Sequence, residues 1–152
     1  MMDVAAIRPA RAADADAIGA LTRRAYRPWI ALTGRAPLPM RVDYREAIQI
    51  HHFSVLENDG ELVGVIETAT EGDALVIVNV AVDPGSQSRG VGRQLMAHAE
   101  QMARSGGLTR TRLYTNKLFA RNLELYASLG YEVEREEVLN GGIAVHMSKQ
   151  LA

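Results

Sequence analysis

Residues 82–96 read VDPGSQSRGVGRQLM. The apolar run ALVIVNVAV (74–82) leads into this stretch, small and polar residues crowd its middle, and a helical pattern leaves it. Val91, Leu95, Ala99 and Met102 recur along one side of 90–103, a spacing that predicts a helix. The run 74–82 is apolar on both faces, as expected for a central strand. TRTRLYT (109–115) predicts another strand. Strand, helix and strand make a βαβ unit with parallel strands and a right-handed crossover. Ligands bind at the carboxyl ends of such strands, so residues 82–92 are the expected ligand site.

The flanking segments complete one α/β domain over residues 1–152, with no repeat, linker or low-complexity tract. VAAIRP (4–9) predicts a short strand. DADAIGALTRRAY (14–26) predicts a helix capped near Asp14, with Ile18, Leu21, Thr22 and Ala25 at helical spacing. RPWIALTGRAPLPM (27–40), with three prolines and a glycine, predicts mostly loop. VDYREAIQI (42–50) predicts a short helix. HHFSVLE (51–57) and ELVGVIETAT (61–70) flank Asn58-Asp59-Gly60, a hairpin signal. Glu71-Gly72-Asp73 then turns the chain into 74–82. RNLELYASL (121–129) predicts a helix closed by Gly130 at positive φ. YEVEREEVL (131–139) and IAVHMSKQL (143–151) form a last hairpin about Asn140-Gly141-Gly142. The expected architecture is a mixed, mostly antiparallel sheet with about four helices.

Composition narrows the function classes. The 152 residues are 47% hydrophobic and 23% charged, which fits a globular domain and not a disordered chain. Net charge is −1 and no Lys/Arg run exceeds two, so no nucleic-acid or polybasic membrane footprint is expected. The absence of cysteine excludes disulfides, thiolate catalysis and Cys-based zinc sites. His51 and His52 are adjacent and would point to opposite faces of a strand. With His98 and His146 they read as structural, and no metal is expected. Without an apolar leader or membrane span, a soluble cytoplasmic protein is the expectation.

The loop at 82–93 has its own chemistry. The first turn of a helix carries N–H groups without internal partners, and with the helix dipole they favour an anion. Gly90 and Gly92 would let phosphate oxygens approach the backbone, and Arg89 and Arg93 add positive charge. Walker A and G-x-G-x-x-G loops fit poorly, because Val91-Gly92 follows Gly90 and GVGRQL lacks a third glycine. The loop reads as a pyrophosphate cradle; a turn merely shaped by glycines is the plainer alternative.

VAVDPGSQSRGVGRQLM (80–96) has the form Q-x-x-G-x-G after a strand ending V-A-V, and it resembles the acetyl-CoA signature of the GNAT superfamily of N-acetyltransferases. LYTNKLFARNLELYASLGYEVERE (113–136) is similar to the family's second segment, with Tyr126, Gly130 and Tyr131 in place, and the element order matches along the chain. The resemblance implies a GNAT-like fold in which strands 74–82 and 109–115 splay apart and acetyl-CoA fills the wedge. Pantetheine would pair with Val80, Ala81 and Val82. Main-chain amides from Ser88 to Arg93, through Arg89, Gly90, Val91 and Gly92, would hold the pyrophosphate behind Gln87. An N–H near Val82 would face the thioester oxygen. Asn116 and Asn122 are alternative partners for pantetheine amides, since Phe119 stands where many relatives carry asparagine.

Tyr126 matches the tyrosine near the CoA sulfur. As a general acid it would protonate a thiolate of pKa ~8.5 from a phenol of pKa ~10; a core tyrosine is the alternative. The general base departs from the family pattern, because Val76, Val78 and Tyr114 occupy the usual acidic or histidine positions. Glu67 is the nearest remaining carboxylate, and a solvent-facing strand glutamate is the competing reading. Without a base, kcat/KM would climb with pH along the acceptor's own ionisation. The acceptor would enter past Tyr26, Trp29, Arg35 and Tyr44, which form either an aromatic, partly basic wall or a small satellite core.

The resemblance therefore implies transfer of an acetyl group from acetyl-CoA to a primary amine of a small molecule or peptide. The rival is an acyl-CoA-binding module without efficient transfer. Dimers are common among similar proteins, so a homodimer is one assembly it implies.

Overall fold

The computed structural model describes residues 7–139 and 141–151. Seven strands form one sheet in the order β1-β2-β3-β4-β5-β7-β6. They are β1 (Ile7–Pro9), β2 (His52–Asn58), β3 (Glu61–Glu71), β4 (Ala74–Val82), β5 (Arg110–Asn116), β6 (Glu132–Leu139) and β7 (Gly142–Gln150). Only β4 and β5 pair in parallel; the other neighbours are antiparallel. The helices are α1 (Ala15–Tyr26), the single turn α2 (Ile30–Thr33), α3 (Tyr44–Ile50), α4 (Val91–Ser105) and α5 (Ala120–Ser128).

Two apolar clusters sandwich the sheet. Ile18, Leu21 and Ala25 of α1 join Phe53, Val55, Val65 and Ala81 on one face. Val91, Leu95 and Ala99 of α4 join Leu56, Ile66, Ile77, Leu113 and Met147 on the other. The period-3.6 pattern of each helix and the alternation in β2 and β3 produce this division. Gly64 in β3 sets how close α4 comes. A Cβ there would lie 2.9 Å from Val91 Cγ1 and 3.0 Å from Leu95 Cδ1, so only glycine admits the helix start at this distance.

The βαβ unit contains a break that places the site. β3 pairs Glu67 with Asn79 but Thr68 with Ile77, so Val78 has no partner and forms a β-bulge in β4. A bulge bends its strand and increases local twist. Pairing of β4 with β5 runs from Ala74↔Arg110 to Ile77↔Leu113 and ends there, although both strands continue. Beyond Ile77 their facing edges diverge into a wedge.

Local expectations were amended in several places. Part of the predicted first strand, residues 4–6, lies outside the described residues, as does Asn140 of the last turn. Asp14 does not cap α1 through its side chain; it ends a 3-10 turn, and its carboxylate accepts the Arg11 N–H at 2.7 Å and pairs with Arg8. The predicted loop 27–40 contains short helical turns at Arg27–Trp29, α2 and Leu38–Arg41, because Pro28 and Pro39 suit the opening of a turn. His51 stands at the C-cap of α3 and not in a strand.

Candidate active site

The divergence of β4 and β5 opens a cleft of about 570 Å³. Val78 and Asn79 line it from β4, Tyr114, Thr115 and Asn116 from β5, and Phe119 from the start of α5. The segment from Thr33 to His51 closes the opposite side. Glu67 reaches the floor on the same face of β3 as Val65, and the bulge shifts the alternation of β4 so that Asn79, its register partner, faces the same way.

The floor is a hydrogen-bonded polar group in apolar surroundings. Glu67 is 5% exposed. Its Oε2 lies 2.7 Å from Nδ1 of His51. Burial pushes the Glu67 carboxyl above its ordinary range, and the His51 contact offsets this only in part. Tyr26 Oη donates to Asn79 Oδ1 at 2.8 Å. Asn79 Nδ2 donates to Tyr44 Oη at 3.5 Å, and Tyr44 Oη donates to the Pro39 carbonyl at 2.7 Å. Burial pushes the Tyr44 phenol up to about 12 and the Tyr26 phenol higher still, so both remain protonated donors. The solvent-facing reading of Glu67 is thus overturned: it shares the covered face of Val65 and is buried at the cleft floor.

The anion loop lies at the far end of the wedge. Pro84–Arg89 forms a 3-10 turn in which the Asp83 carboxylate accepts the Gly85 N–H at 3.1 Å. Gly90 has φ +79°, a left-handed conformation that links this turn to α4. The first helical bond runs from Gln94 N–H to Gly90 O at 3.0 Å. Helix geometry therefore leaves the amides of Val91, Gly92 and Arg93 without i−4 partners. A Cβ on Gly92 would meet only Leu125 at 3.6 Å and Val82 at 3.9 Å, so internal packing does not require this glycine. Arg89 is exposed, and Arg93 Nη2 donates to Ser128 Oγ at 3.0 Å. Gln87 Nε2 donates to the Val82 carbonyl at 3.3 Å, bracing the loop on β4. Val80, Ala81 and Val82 lie on β4 beyond its last pair with β5, so the sheet leaves that edge open to a partner of peptide-like polarity. An anionic group on the loop joined to an amide-bearing arm along β4 fits these donors.

The model family "Acetyltransferase (GNAT) family" matches residues 18–131, three-quarters of the chain. The chain belongs to this family. It is 35% identical over 102 residues to an amino-acid acetyltransferase of Neisseria meningitidis; the match covers 62% of this chain but 22% of the relative. Among solved structures it superposes on the PaiA N-acetyltransferase of Thermoplasma acidophilum in complex with coenzyme A, with TM-score 0.83 and 18% identity over 98% of this chain and 100% of that one. The ribosomal-protein-S18-alanine N-acetyltransferase of Escherichia coli gives TM-score 0.78 and 20% identity, covering 95% and 92%. These two likenesses establish the GNAT fold. No helix among the described residues is long and apolar enough to cross a membrane.

Other residues singled out by sequence divide into two groups. Tyr26, Arg35 and Tyr44 line the cleft, and Tyr44 also belongs to the core beneath α1. Trp29 does not line it; its ring stacks behind Phe119 with centroids 4.4 Å apart. Tyr126 is 8% exposed and sits in the α4-side core, 6.1 Å from Tyr131, outside the cleft lining. Burial raises its phenol to about 12. Asn116 lines the cleft, with Oδ1 engaged by the Leu118 N–H at 2.9 Å, whereas Asn122 Nδ2 donates to Thr115 Oγ1 at 3.5 Å. Sequence reasoning missed Asn79 and the role of His51. Asn79 carried a signal, as the only polar residue in ALVIVNVAV.

Proposed function

We propose that this acetyltransferase moves the acetyl group of acetyl-CoA to a primary amine bound in the cleft, with the Glu67–His51 pair receiving the amine's proton. The observation that carries the reading is a buried carboxylate of raised pKa at the floor of a cleft that opens where β4 and β5 part. A carboxylate of ordinary pKa is a poor proton acceptor near neutrality; one raised by burial is better matched to the task. The Neisseria relative, an amino-acid acetyltransferase by name, supports an amine acceptor.

The residues divide the work along the wedge. The amides of Ser88 to Arg93, with the Arg89 and Arg93 side chains and the brace from Gln87, hold the pyrophosphate. The open edge Val80–Val82 takes the pantetheine amides, helped by Asn116 or Asn122. Glu67 accepts the proton from the incoming ammonium, directly or through water, and the neutral amine then attacks the thioester carbon. An N–H near Val82 donates to the thioester oxygen as charge develops there. Tyr126 donates a hydrogen bond to the leaving sulfur. At a pKa of about 12 its full proton transfer to a thiolate of pKa ~8.5 is uphill by roughly 5 kcal/mol. Hydrogen bonding, with the proton following late, is therefore its role.

The binding-module alternative drew its support from the missing base. Glu67 in the cleft supplies a candidate base and so favours the transferase. Thiol release from acetyl-CoA across a panel of small amines and N-terminal peptides tests the reading. Amine-dependent release by the wild type, strongly reduced in Glu67→Gln, is expected. Equal release by both proteins would contradict the assignment of Glu67.

A further inference from the structure

We infer that the acceptor is a low-molecular-weight amine with an apolar or aromatic body and an anionic group, held by the arginine-bearing loop 34–41. The inference rests on the amine-acetylation reading above. Its first ground is where exposed apolar surface gathers. Leu38, Ile50, Val78, Tyr114 and Leu139 are large apolar side chains left exposed, and all five line this one cleft. Contiguous exposed apolar surface around a concavity marks a ligand contact, whereas scattered exposed residues do not. A volume of about 570 Å³ suits a small molecule.

The second ground is charge. Among the described residues, Glu67 is the only carboxylate that lines the cleft, and it is occupied by His51. The cations that line it are Arg35 and Arg41, both from the same loop. No carboxylate of the described residues forms an ion pair with Arg41. An alkyl amine arrives as an ammonium ion, and an entrance carrying arginines opposes a bare cation. A carboxylate on the same molecule cancels that opposition and gives guanidinium a planar partner.

The third ground is preorganisation. Thr33 Oγ1 donates to the Arg35 carbonyl at 2.6 Å. Tyr44 Oη donates to the Pro39 carbonyl at 2.7 Å and receives the Asn79 Nδ2 bond. The loop is thereby tied to the strand residue paired with Glu67, and two prolines stiffen it. The cation side and the proton acceptor are held on one frame, as recognition of a two-ended substrate requires.

The test is a matched pair of amines of similar basicity, 4-(aminomethyl)benzoate and 4-methylbenzylamine, with 1,4-diaminobutane as a dication. Thiol release from acetyl-CoA is measured for wild type and Arg41→Gln. Wild type should favour the benzoate over the methyl analogue by about tenfold in kcat/KM, the low end for bonds to a charged group because Arg41 is exposed. The diamine should be the poorest acceptor. Arg41→Gln should bring the benzoate-to-methyl ratio close to one. Equal use of the two aryl amines by wild type, or a ratio unmoved in Arg41→Gln, overturns the inference and leaves the transferase reading standing. Release with none of the three amines also overturns the inference, and only a failure across the wider panel of amines and N-terminal peptides contradicts the transferase reading.

Discussion

Glu67 Oε2 and His51 Nδ1 meet at 2.7 Å on the floor of the cleft between β4 and β5. Glu67 lies on the face of β3 that it shares with Val65, opposite Asn79 beside the bulge at Val78, and His51 is delivered by the end of α3. The relationship puts a buried carboxylate, the proton acceptor of the proposed reaction, in the cleft, although the β4 and β5 positions that commonly supply one hold Val76, Val78 and Tyr114. It has costs and consequences that can be measured.

The first consequence is a trade between activity and stability. A carboxyl whose folded pKa is raised contributes most to stability when protonated. That contribution is lost as pH rises through the folded pKa. Ionised Glu67 therefore weakens the fold at neutral and alkaline pH. Glu67→Gln is expected to melt higher than wild type at pH 8, with the gain fading below the ordinary carboxylate range. Thermal melts of both proteins from pH 4 to 8 check this. An equal or lower Tm for the variant across the range contradicts the sign.

The anion loop makes a second prediction. Gly92 has room for a Cβ, so Gly92→Glu should fold with nearly unchanged Tm. Its carboxylate would stand against a pyrophosphate, and like-charge contacts cost several kcal/mol. Calorimetry should show acetyl-CoA affinity reduced at least about tenfold. Unchanged affinity would remove the pyrophosphate from the start of α4.

Gly64 offers a different handle on the same loop. Gly64→Val forces atoms into space held by Val91 and Leu95, and overpacking of this kind costs about 1–3 kcal/mol. Because those residues open α4, acetyl-CoA affinity should fall together with stability. Denaturant melts and calorimetry read both quantities. Lost stability with intact affinity would show that the cradle does not depend on how α4 seats on β3.

Tyr126→Phe keeps the packing against Tyr131 and removes the hydroxyl that the proposed reaction assigns to the leaving sulfur. With a donor to the developing thiolate gone, kcat should fall by about 10²-fold, and acetyl-CoA affinity should hold. Single-turnover rates under conditions where chemistry limits are the measurement. A wild-type rate would make Tyr126 a packing residue only.

Much of this was legible in the sequence, for definable reasons. The hairpins followed from alternating patterns around turn residues, and the βαβ unit from a doubly apolar strand feeding a helix with a clear apolar side. The glycines at 90 and 92 marked the loop because left-handed backbone and close approach both leave sequence signatures. The wedge was not legible from the residues, because the bulge at Val78 lies inside an uninterrupted apolar run. Glu67 looked solvent-facing because alternation assigns it only to the face of Val65, and the pattern within β3 does not say that α1 and the segment after it cover that face. His51 looked structural because its contact joins the end of one helix to a strand sixteen residues away. Trp29 and Tyr44 show that an aromatic cluster in sequence divides between cleft lining and support once the chain folds.

The account rests most on Glu67 as the proton acceptor. The most direct measurement is kcat/KM against pH from about 6 to 9, for wild type and Glu67→Gln, with two accepted amines of different pKa. Glu67 must be ionised to act, so activity should fall on the acid side through a pKa above the ordinary carboxylate range. It should level off above that pKa at a pH common to both amines. Glu67→Gln should lose the plateau and follow each amine's own ionisation. Profiles that climb with amine ionisation in both proteins would contradict the account, returning the chain to the base-free expectation drawn from Val76, Val78 and Tyr114.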